Sequence, residues 1–243
     1  FSTYRGNKMG RAIVSAFHKY TPFGDKYYQP MFLYYIKNLK RYENEFDKLY
    51  LLDSTWDFTE EDRRQLNGIK YEIVKVNPNL RYYDAYKEFI PTLKEDRVLF
   101  LDNDMVIYRE GIIDRAFSML EDTELENIHK ILKFFSFDVA SIYDTIGSKS
   151  QEIANKWPVL NGKSKFCPYF FATKTKFLQR FTDCEWGPVP WGETLSELTI
   201  RMLENGAQPH EFEEDKSSLY FDGTVGNTDK KRSKDLGYYH IRA

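Results

Sequence analysis

Cysteine, long apolar runs and an excess of charge of one sign are all scarce in this sequence. Its 243 residues include only Cys167 and Cys184, which fit neither a disulfide framework nor a zinc site and favour a reducing compartment. No run is long or apolar enough to span a bilayer, and no signal peptide is visible, so we expect a cytoplasmic protein. The net charge of -2 gives no long-range attraction to nucleic acid or to an anionic membrane. Because the chain begins at Phe1, an anchor or second domain outside it is left open.

The amino-acid composition is typical of one globular domain. Hydrophobic residues make up 42% of the chain, enough for a packed interior, and no repeat or linker divides residues 1–243. Aromatic residues reach 17%, which fits either a surface that binds sugars and bases or a tyrosine-rich core. A composition rich in Lys and Tyr is typical of an AT-rich genome, bacterial or viral.

Strand and helix patterns alternate in the first half. Apolar runs predict strands at 11–17, 48–52, 71–76 and 97–101, and helical spacing predicts helices at 25–41, 59–68 and 83–93. This order predicts an α/β fold, a largely parallel Rossmann-like sheet covered by helices on both faces. Ligands of such sheets bind at the carboxyl ends of the strands.

The second half is less regular. We expect a helix over 112–135, strands over 138–143 and 169–173, and a helix over 193–205 that Gly206 closes. A polar loop over 211–234 and a final strand over 237–241 complete the prediction. The part of the loop from 222 to 234 is a candidate lid over a bound ligand.

Three polar clusters follow predicted strands: Phe17-His18, Asp53-Ser54 and Asp102-Asn103-Asp104. In an extended segment, side chains two residues apart point the same way, so Asp102 and Asp104 can converge on one ligand. Two neighbouring buried carboxylates are costly unless a cation pairs with them. Mg²⁺ or Mn²⁺ is the natural partner, because these hard ions take oxygen ligands and bridge phosphate oxygens.

The stretch 83–104 resembles the donor-site region of GT-A-fold glycosyltransferases, closest to the glycogenin and lipopolysaccharide-galactosyltransferase group. In that group a helix with a basic residue and a proline precede a strand that ends in Asp-x-Asp. The similarity extends over residues 11–108. It implies a GT-A fold, a nucleoside-diphosphate sugar as donor (UDP-sugar favoured), Mn²⁺ or Mg²⁺, and a hydroxyl acceptor such as a glycan. Residues 11–108 would bind the donor and residues 109–243 the acceptor.

The resemblance also assigns residues. It implies that Asp102 and Asp104 ligate the metal, with one of them also near the ribose. Lys87 matches the basic residue near the donor phosphates or sugar, although an exposed helix lysine is an equal alternative. The resemblance implies that Phe17, His18 and Tyr20 line the nucleoside pocket. Asp53, at the end of its predicted strand, completes the predicted donor site with Lys87 and Asp102.

His240 matches the third metal ligand that the family supplies from its C-terminal region. It lies in the apolar segment Tyr-Tyr-His-Ile, which is an unusual setting for a chance surface histidine. The family's histidine motif continues with a Gly and a Lys-Pro-Trp that this chain lacks, so its phosphate-binding lysine has no match. Arg242 or a cation in 230–232 is a possible substitute.

Glu193 is the candidate catalytic base. The predicted helix over 193–205 places it in the first turn, where the helix dipole favours an ionised carboxylate, and a helix-start glutamate that gives only local stability is the alternative. The resemblance implies the catalytic role, because many inverting GT-A enzymes have an acidic residue at a comparable point that acts as base on the acceptor hydroxyl. Glu193 takes the acceptor proton if the enzyme inverts, and only positions a sugar if it retains. Trp186 and Trp191 flank this segment and either stack on a sugar or pack in the core. The family's Asn-Ser-Gly strand is replaced here by residues 168–173, which leaves acceptor and stereochemistry open.

Two alternative functions remain. A nucleotidyltransferase also pairs carboxylates on such a sheet, but it usually carries a glycine-rich loop after the first strand, where this chain has its first glycine only at Gly24. A non-catalytic domain that binds carbohydrate or nucleotide-sugar through a degenerate donor site is the other.

Overall fold

The structure is a computed structural model that describes residues 10–19, 25–103, 105–107, 110–120, 129–133, 170–189, 194–211 and 238–240. For residues 25–27, 106, 129–133, 208–211 and 238–240, the backbone alone is described. Helices and strands are numbered in chain order among these residues.

The first half alternates strands and helices as predicted. The elements are β1 (Arg11–Phe17), α1 (Asp25–Lys40), β2 (Lys48–Asp53), α2 (Glu60–Gln65), β3 (Tyr71–Lys75), α3 (Tyr82–Phe89) and β4 (Arg97–Leu101). The helix predicted over 83–93 ends in a 3-10 turn over Ile90–Thr92. At the start of α2, Thr59 and Asp62 form a capping box, and Gly68 lies beyond the helix with a φ of +96°.

The second half contains β5 (Met105–Ile107), α4 (Ile112–Ser118), β6 (His129–Lys133), β7 (Phe170–Lys174), α5 (Thr175–Leu178), α6 (Ser196–Glu204), β8 (Ala207–Glu211) and β9 (Tyr238–His240). The strands predicted at 169–173 and 237–241 are confirmed. The helix predicted over 112–135 is wrong at 129–133, which pair in the sheet as β6. Strand β8 was not predicted. The predicted strand 138–143 and nearly all of the loop over 211–234 lie outside the described residues.

One seven-stranded sheet organises the domain, in the order β3-β2-β1-β4-β7-β6-β8. β3, β2, β1 and β4 run parallel; β7 is antiparallel to β4 and β6, and β8 runs parallel to β6. The predicted mostly parallel sheet is therefore confirmed. β5 and β9 form a separate antiparallel pair.

Apolar side chains cover both faces of the sheet. On one face α1 packs Phe32, Tyr35, Ile36 and Leu39 against the sheet, and all four are almost fully buried. On the other face the core is built by α3, α6 and their surroundings, with Phe100 and Phe171 stacked at 5.5 Å between ring centroids. None of the described helices combines the length and the apolar character that a membrane crossing needs.

Candidate functional site

The carboxyl ends of β2, β1 and β4 lie side by side. Between β1 and β4 the strand order reverses, and this switch point is where ligands of open α/β sheets bind. Ser54 N–H donates to the Phe17 carbonyl over 3.1 Å, and His18 Nδ1 lies 3.3 Å from Ser54 Oγ and 3.2 Å from Thr55 Oγ1. The predicted clusters after β1 and β2 therefore meet at one edge.

The cluster after β4 joins the same edge. Asn103 Nδ2 donates to the Ala16 carbonyl over 3.0 Å, which ties the loop after β4 to the end of β1. Met105 N–H donates to the Asp102 carbonyl over 3.0 Å and closes a tight turn. The Asp102 side chain is half-buried at this edge, while Asp104 and Tyr20 lie outside the described residues.

Strand β9 brings the C-terminal region to this turn. Its register pairs His240 with Met105 and Tyr238 with Ile107. The backbone of His240 therefore lies opposite the residue that follows Asp104, although 135 positions separate the two in the chain. The fold thus brings together the two regions that the sequence analysis assigned to metal binding.

The donor types at this turn suit a hard divalent ion. Two carboxylates and an imidazole, as in the predicted ligand set, are ligands that Mn²⁺ accepts. Among the side chains that the structure describes, no three His, Cys, Asp or Glu residues form a metal-sized group. That search reaches neither Asp104 nor the side chain of His240, so the predicted ligand set stays a prediction.

Two buried tyrosines flank the Asp102 carboxylate. Burial raises the pKa of Tyr35, and the negative charge of Asp102 adds to the rise. Burial also raises the pKa of Tyr86 well above its ordinary value, again with Asp102 contributing. Both phenols therefore stay protonated. The sequence did not predict these two tyrosines at the site. The available signal was Ser15, a single polar residue inside the apolar run of β1.

Phe17 and Asp53 point away from the edge. The Phe17 ring is fully buried and meets Trp56 and Phe58 edge-on, with ring centroids 5.3 Å apart in each case. The carboxylate of Asp53 is also fully buried and accepts from the backbone of the following loop. These environments favour structural roles for both residues over direct contact with a nucleoside. His18 is half-buried and remains at the edge.

Lys87 lies on α3 and is half-buried. It is near Cys184, whose thiol pKa burial raises to about 11, with Glu197 and Asp183 adding to the rise and Arg201 and Lys87 opposing it. The Cys184 side chain is a buried free thiol, as the sequence predicted. The charge of Lys87 thus acts on the segment before α6, and its role towards the donor stays a prediction.

The helix near Glu193 starts later than predicted. α6 begins at Ser196 behind Leu195, which adopts a left-handed φ of 63° as N-cap. Glu193 therefore precedes the helix and Glu197 holds the acidic position in its first turn, so the argument from the helix dipole does not apply to Glu193. Glu193 and Trp191 lie outside the described residues. Trp186 is buried, and its Nε1 donates to the Phe181 carbonyl over 2.9 Å, so of its two predicted roles the core role holds.

Comparison with known proteins finds similarity in structure and none in sequence. No protein-family model matches the chain, and no curated protein matches it in sequence. Among solved structures, core-mannan synthase A from Aspergillus fumigatus in its Mn/GDP form superposes with a TM-score of 0.52 at 13% identity, covering 87% of this chain and 74% of that one. Glucosyl-3-phosphoglycerate synthase from Mycobacterium tuberculosis, in complex with Mn²⁺, UDP-glucose and phosphoglyceric acid, gives 0.51 at 14% identity, covering 84% and 70%.

The chain has the GT-A fold. The superposition with these glycosyltransferases extends over most of the chain. The likeness supports the GT-A fold at large and not the closer grouping with glycogenin and the lipopolysaccharide galactosyltransferases.

Proposed function

We propose that the protein is a metal-dependent glycosyltransferase that moves a sugar from a nucleoside-diphosphate sugar, UDP-sugar in the first instance, to a hydroxyl acceptor. The observation that carries the proposal is the β5–β9 register, which puts His240 opposite Met105 and next to the Asp102–Asp104 turn. The turn lies at the switch point of a GT-A fold, where a donor would bind. The neighbours with Mn²⁺ and UDP-glucose or with Mn and GDP give the proposal its cofactor and donor class.

Each residue has an assigned part in this proposal. Asp102, Asp104 and His240 would hold Mn²⁺ or Mg²⁺, and a bound ion would supply positive charge to the departing diphosphate. His18 and Tyr20 would contact the nucleoside, with His18 held in place by Phe17 and Asp53 beneath it, and Lys87 would serve the donor phosphates or sugar.

The acceptor half of the site is proposed on sequence grounds. Glu193 would take the acceptor proton in an inverting reaction or position a sugar in a retaining one. Residues 11–108 would bind the donor and residues 109–243 the acceptor within one domain. Three further proposals rest on the sequence alone. They are a place in the glycogenin and lipopolysaccharide-galactosyltransferase group, a cytoplasmic location and a loop at 222–234 that closes over the donor.

Two other functions have less support. A nucleotidyltransferase would need a phosphate loop after β1, but that segment begins with His18 and Lys19 and contains no glycine before Gly24. A binding domain with a degenerate donor site would keep metal-dependent nucleotide binding but would not turn the donor over.

Calorimetric titration with UDP and with GDP, in the presence and absence of Mn²⁺, tests the proposal. The wild type is compared with Asp104→Ala and with Glu204→Ala, which removes an exposed carboxylate at the end of α6. We expect binding that needs Mn²⁺, persists in Glu204→Ala and is lost in Asp104→Ala. Failure of both nucleotides to bind under any metal condition would overturn the proposal, and the preferred base would narrow the donor.

Donor turnover separates the enzyme from the binding domain. Release of UDP from UDP-sugars is measured with Mn²⁺ present. Where no added acceptor reacts, water serves as the acceptor. Slow metal-dependent release that Asp104→Ala abolishes would support the transferase. Tight, metal-dependent binding without any release on a panel of sugars and acceptors would favour the binding domain.

A further inference from the structure

The backbone ladder between β1 and β4 stops before the two strands end. Its register runs from Arg11 opposite Arg97 to Val14 opposite Phe100, whereas β1 continues to pair with β2 as far as Phe17 opposite Asp53. β1 and β4 therefore part at the switch point, directly below the Asp102 turn. Backbone groups that leave a ladder inside a protein need other partners.

Side chains supply those partners. Ser15 Oγ donates to the Leu101 carbonyl over 2.6 Å, and Asn103 Nδ2 donates to the Ala16 carbonyl over 3.0 Å. The Ala16 N–H donates to the hydroxyl of Tyr86 over 3.1 Å. Three side-chain bonds thus replace the backbone ladder: two tie β1 to the end of β4 and to the turn, and the third ties β1 to α3.

Helices on both faces contribute to this arrangement. Tyr35 reaches in from α1 and Tyr86 from α3, and each is at most 2% exposed. Because the single proton of Ser15 is donated to Leu101, the Tyr35 hydroxyl donates to Ser15 Oγ. The floor of the switch point, defined as Ser15, Tyr35, Tyr86 and Asn103, therefore locks the turn to β1, α1 and α3 together.

We infer that this floor positions the metal and diphosphate site. Tyr86 accepts from the Ala16 N–H and Asn103 donates to the Ala16 carbonyl, and these two bonds set the place of Asp102. The inference rests on the proposed function. Groups that orient metal ligands act through geometry, and their removal weakens metal affinity while the ligands themselves remain. Tyr86 and Asn103 are accordingly positioning residues and need no contact with the substrate.

Matched variants test the inference. Tyr86→Phe is compared with Tyr50→Phe, because Tyr50 is also buried in the same core face and its hydroxyl bonds Glu95, before the start of β4. Asn103→Ala is compared with Asn205→Ala, whose Nδ2 likewise donates to a backbone carbonyl, that of Arg201, over 2.8 Å. For each protein, Mn²⁺ is titrated calorimetrically at fixed UDP, and the melting temperature is recorded.

We expect the Mn²⁺ concentration for half-maximal UDP binding to rise about 10-fold in Tyr86→Phe and Asn103→Ala, the low end for loss of a group that supports a metal ligand. The two controls should match the wild type in Mn²⁺ requirement even where they lower the melting temperature. A purely structural role would lower the melting temperature of Tyr86→Phe and Tyr50→Phe alike and leave the Mn²⁺ requirement unchanged. That result overturns the inference.

The remaining outcomes are also decisive. If Tyr86→Phe does not fold, Asn103→Ala tests the inference, because Asn103 is only half-buried. If the wild type binds UDP with Mn²⁺ and both variants behave like their controls, the inference alone is overturned. If the wild type shows no metal-dependent nucleotide binding, the proposed function fails and the inference with it.

Discussion

The ammonium group of Lys75 lies 2.8 Å from a carboxylate oxygen of Asp53, which is fully buried although the Lys75 side chain is 62% exposed. The other Asp53 oxygen accepts from the backbone N–H groups of Trp56 and Asp57, over 3.0 and 3.1 Å. Asp53 thus organises the loop after β2 from beneath. That loop carries Ser54 and Thr55, which hold His18, so a residue predicted to bind the donor also shapes the edge that would bind it.

Replacing Asp53 with asparagine should destabilise the protein by about 1.5–3 kcal/mol, the range for a hydrogen bond to a charged group, because the amide loses the charge that pairs with Lys75. Denaturation in urea, followed by circular dichroism, gives the change in the free energy of unfolding. Asp57→Asn is the control: its carboxylate also pairs with Lys75, over 2.7 Å, but it is exposed, and its loss should be much milder. Equal effects of the two substitutions would show that the buried carboxylate has no special role.

The four strands of the first half were predictable because each is a short apolar run followed by a polar or turn-forming residue. β6 and β8 were not, since their sequences, HKILK and AQPHE, carry little strand signal. Both strands pair with each other and β6 also pairs with β7, which lies some forty residues along the chain. Tertiary pairing, and not local preference, makes these segments strands.

The sequence predicts the residue types of the candidate site but not the orientation of its side chains. The spacing of Asp102 and Asp104 after an apolar strand could be read directly. The inward direction of Phe17 could not, because β1 is buried on both faces and an apolar run gives no alternation to assign one. Ser15 and Phe17 share the face towards α1, so the same pleat that buries Phe17 also directs Ser15 to Tyr35.

Gly187 is in close contact with the ring of Tyr83. A Cβ at Gly187 would lie 2.7 Å from Tyr83 Cε2, and the ring is only 4% exposed, so it has little room to move. Gly187→Ala should therefore cost about 1–3 kcal/mol in the free energy of unfolding. In a Tyr83→Leu background the same substitution should cost less, because the clashing atom is gone. An additive double mutant would argue against the contact.

The thiol of Cys184 should be unreactive in the native protein. Because burial raises its pKa to about 11, the reactive thiolate is scarce at pH 8. In a Cys167→Ser background, reaction with DTNB at pH 8 should be roughly 100-fold slower than that of free cysteine, about tenfold for each unit of pKa. The rate should climb as the pH approaches 11 and become fast in denaturant. Rapid labelling of the native protein at pH 8 would contradict the burial of Cys184.

His240 is the residue whose predicted role depends most on the fold, because only the β5–β9 pairing brings it next to the Asp102–Asp104 turn. If it ligates the metal, His240→Ala should raise the Mn²⁺ concentration needed for UDP binding by at least about 10-fold, as expected when a coordinating group is lost. The control is His129→Ala, because β4 and β6 both run antiparallel to β7, so His129 at the amino end of β6 lies at the sheet edge opposite the Asp102 turn. Titration of Mn²⁺ at fixed UDP measures both. An unchanged Mn²⁺ requirement in His240→Ala, with the binding still lost in Asp104→Ala, would leave the carboxylates as the ligands and assign the C-terminal strand to packing alone.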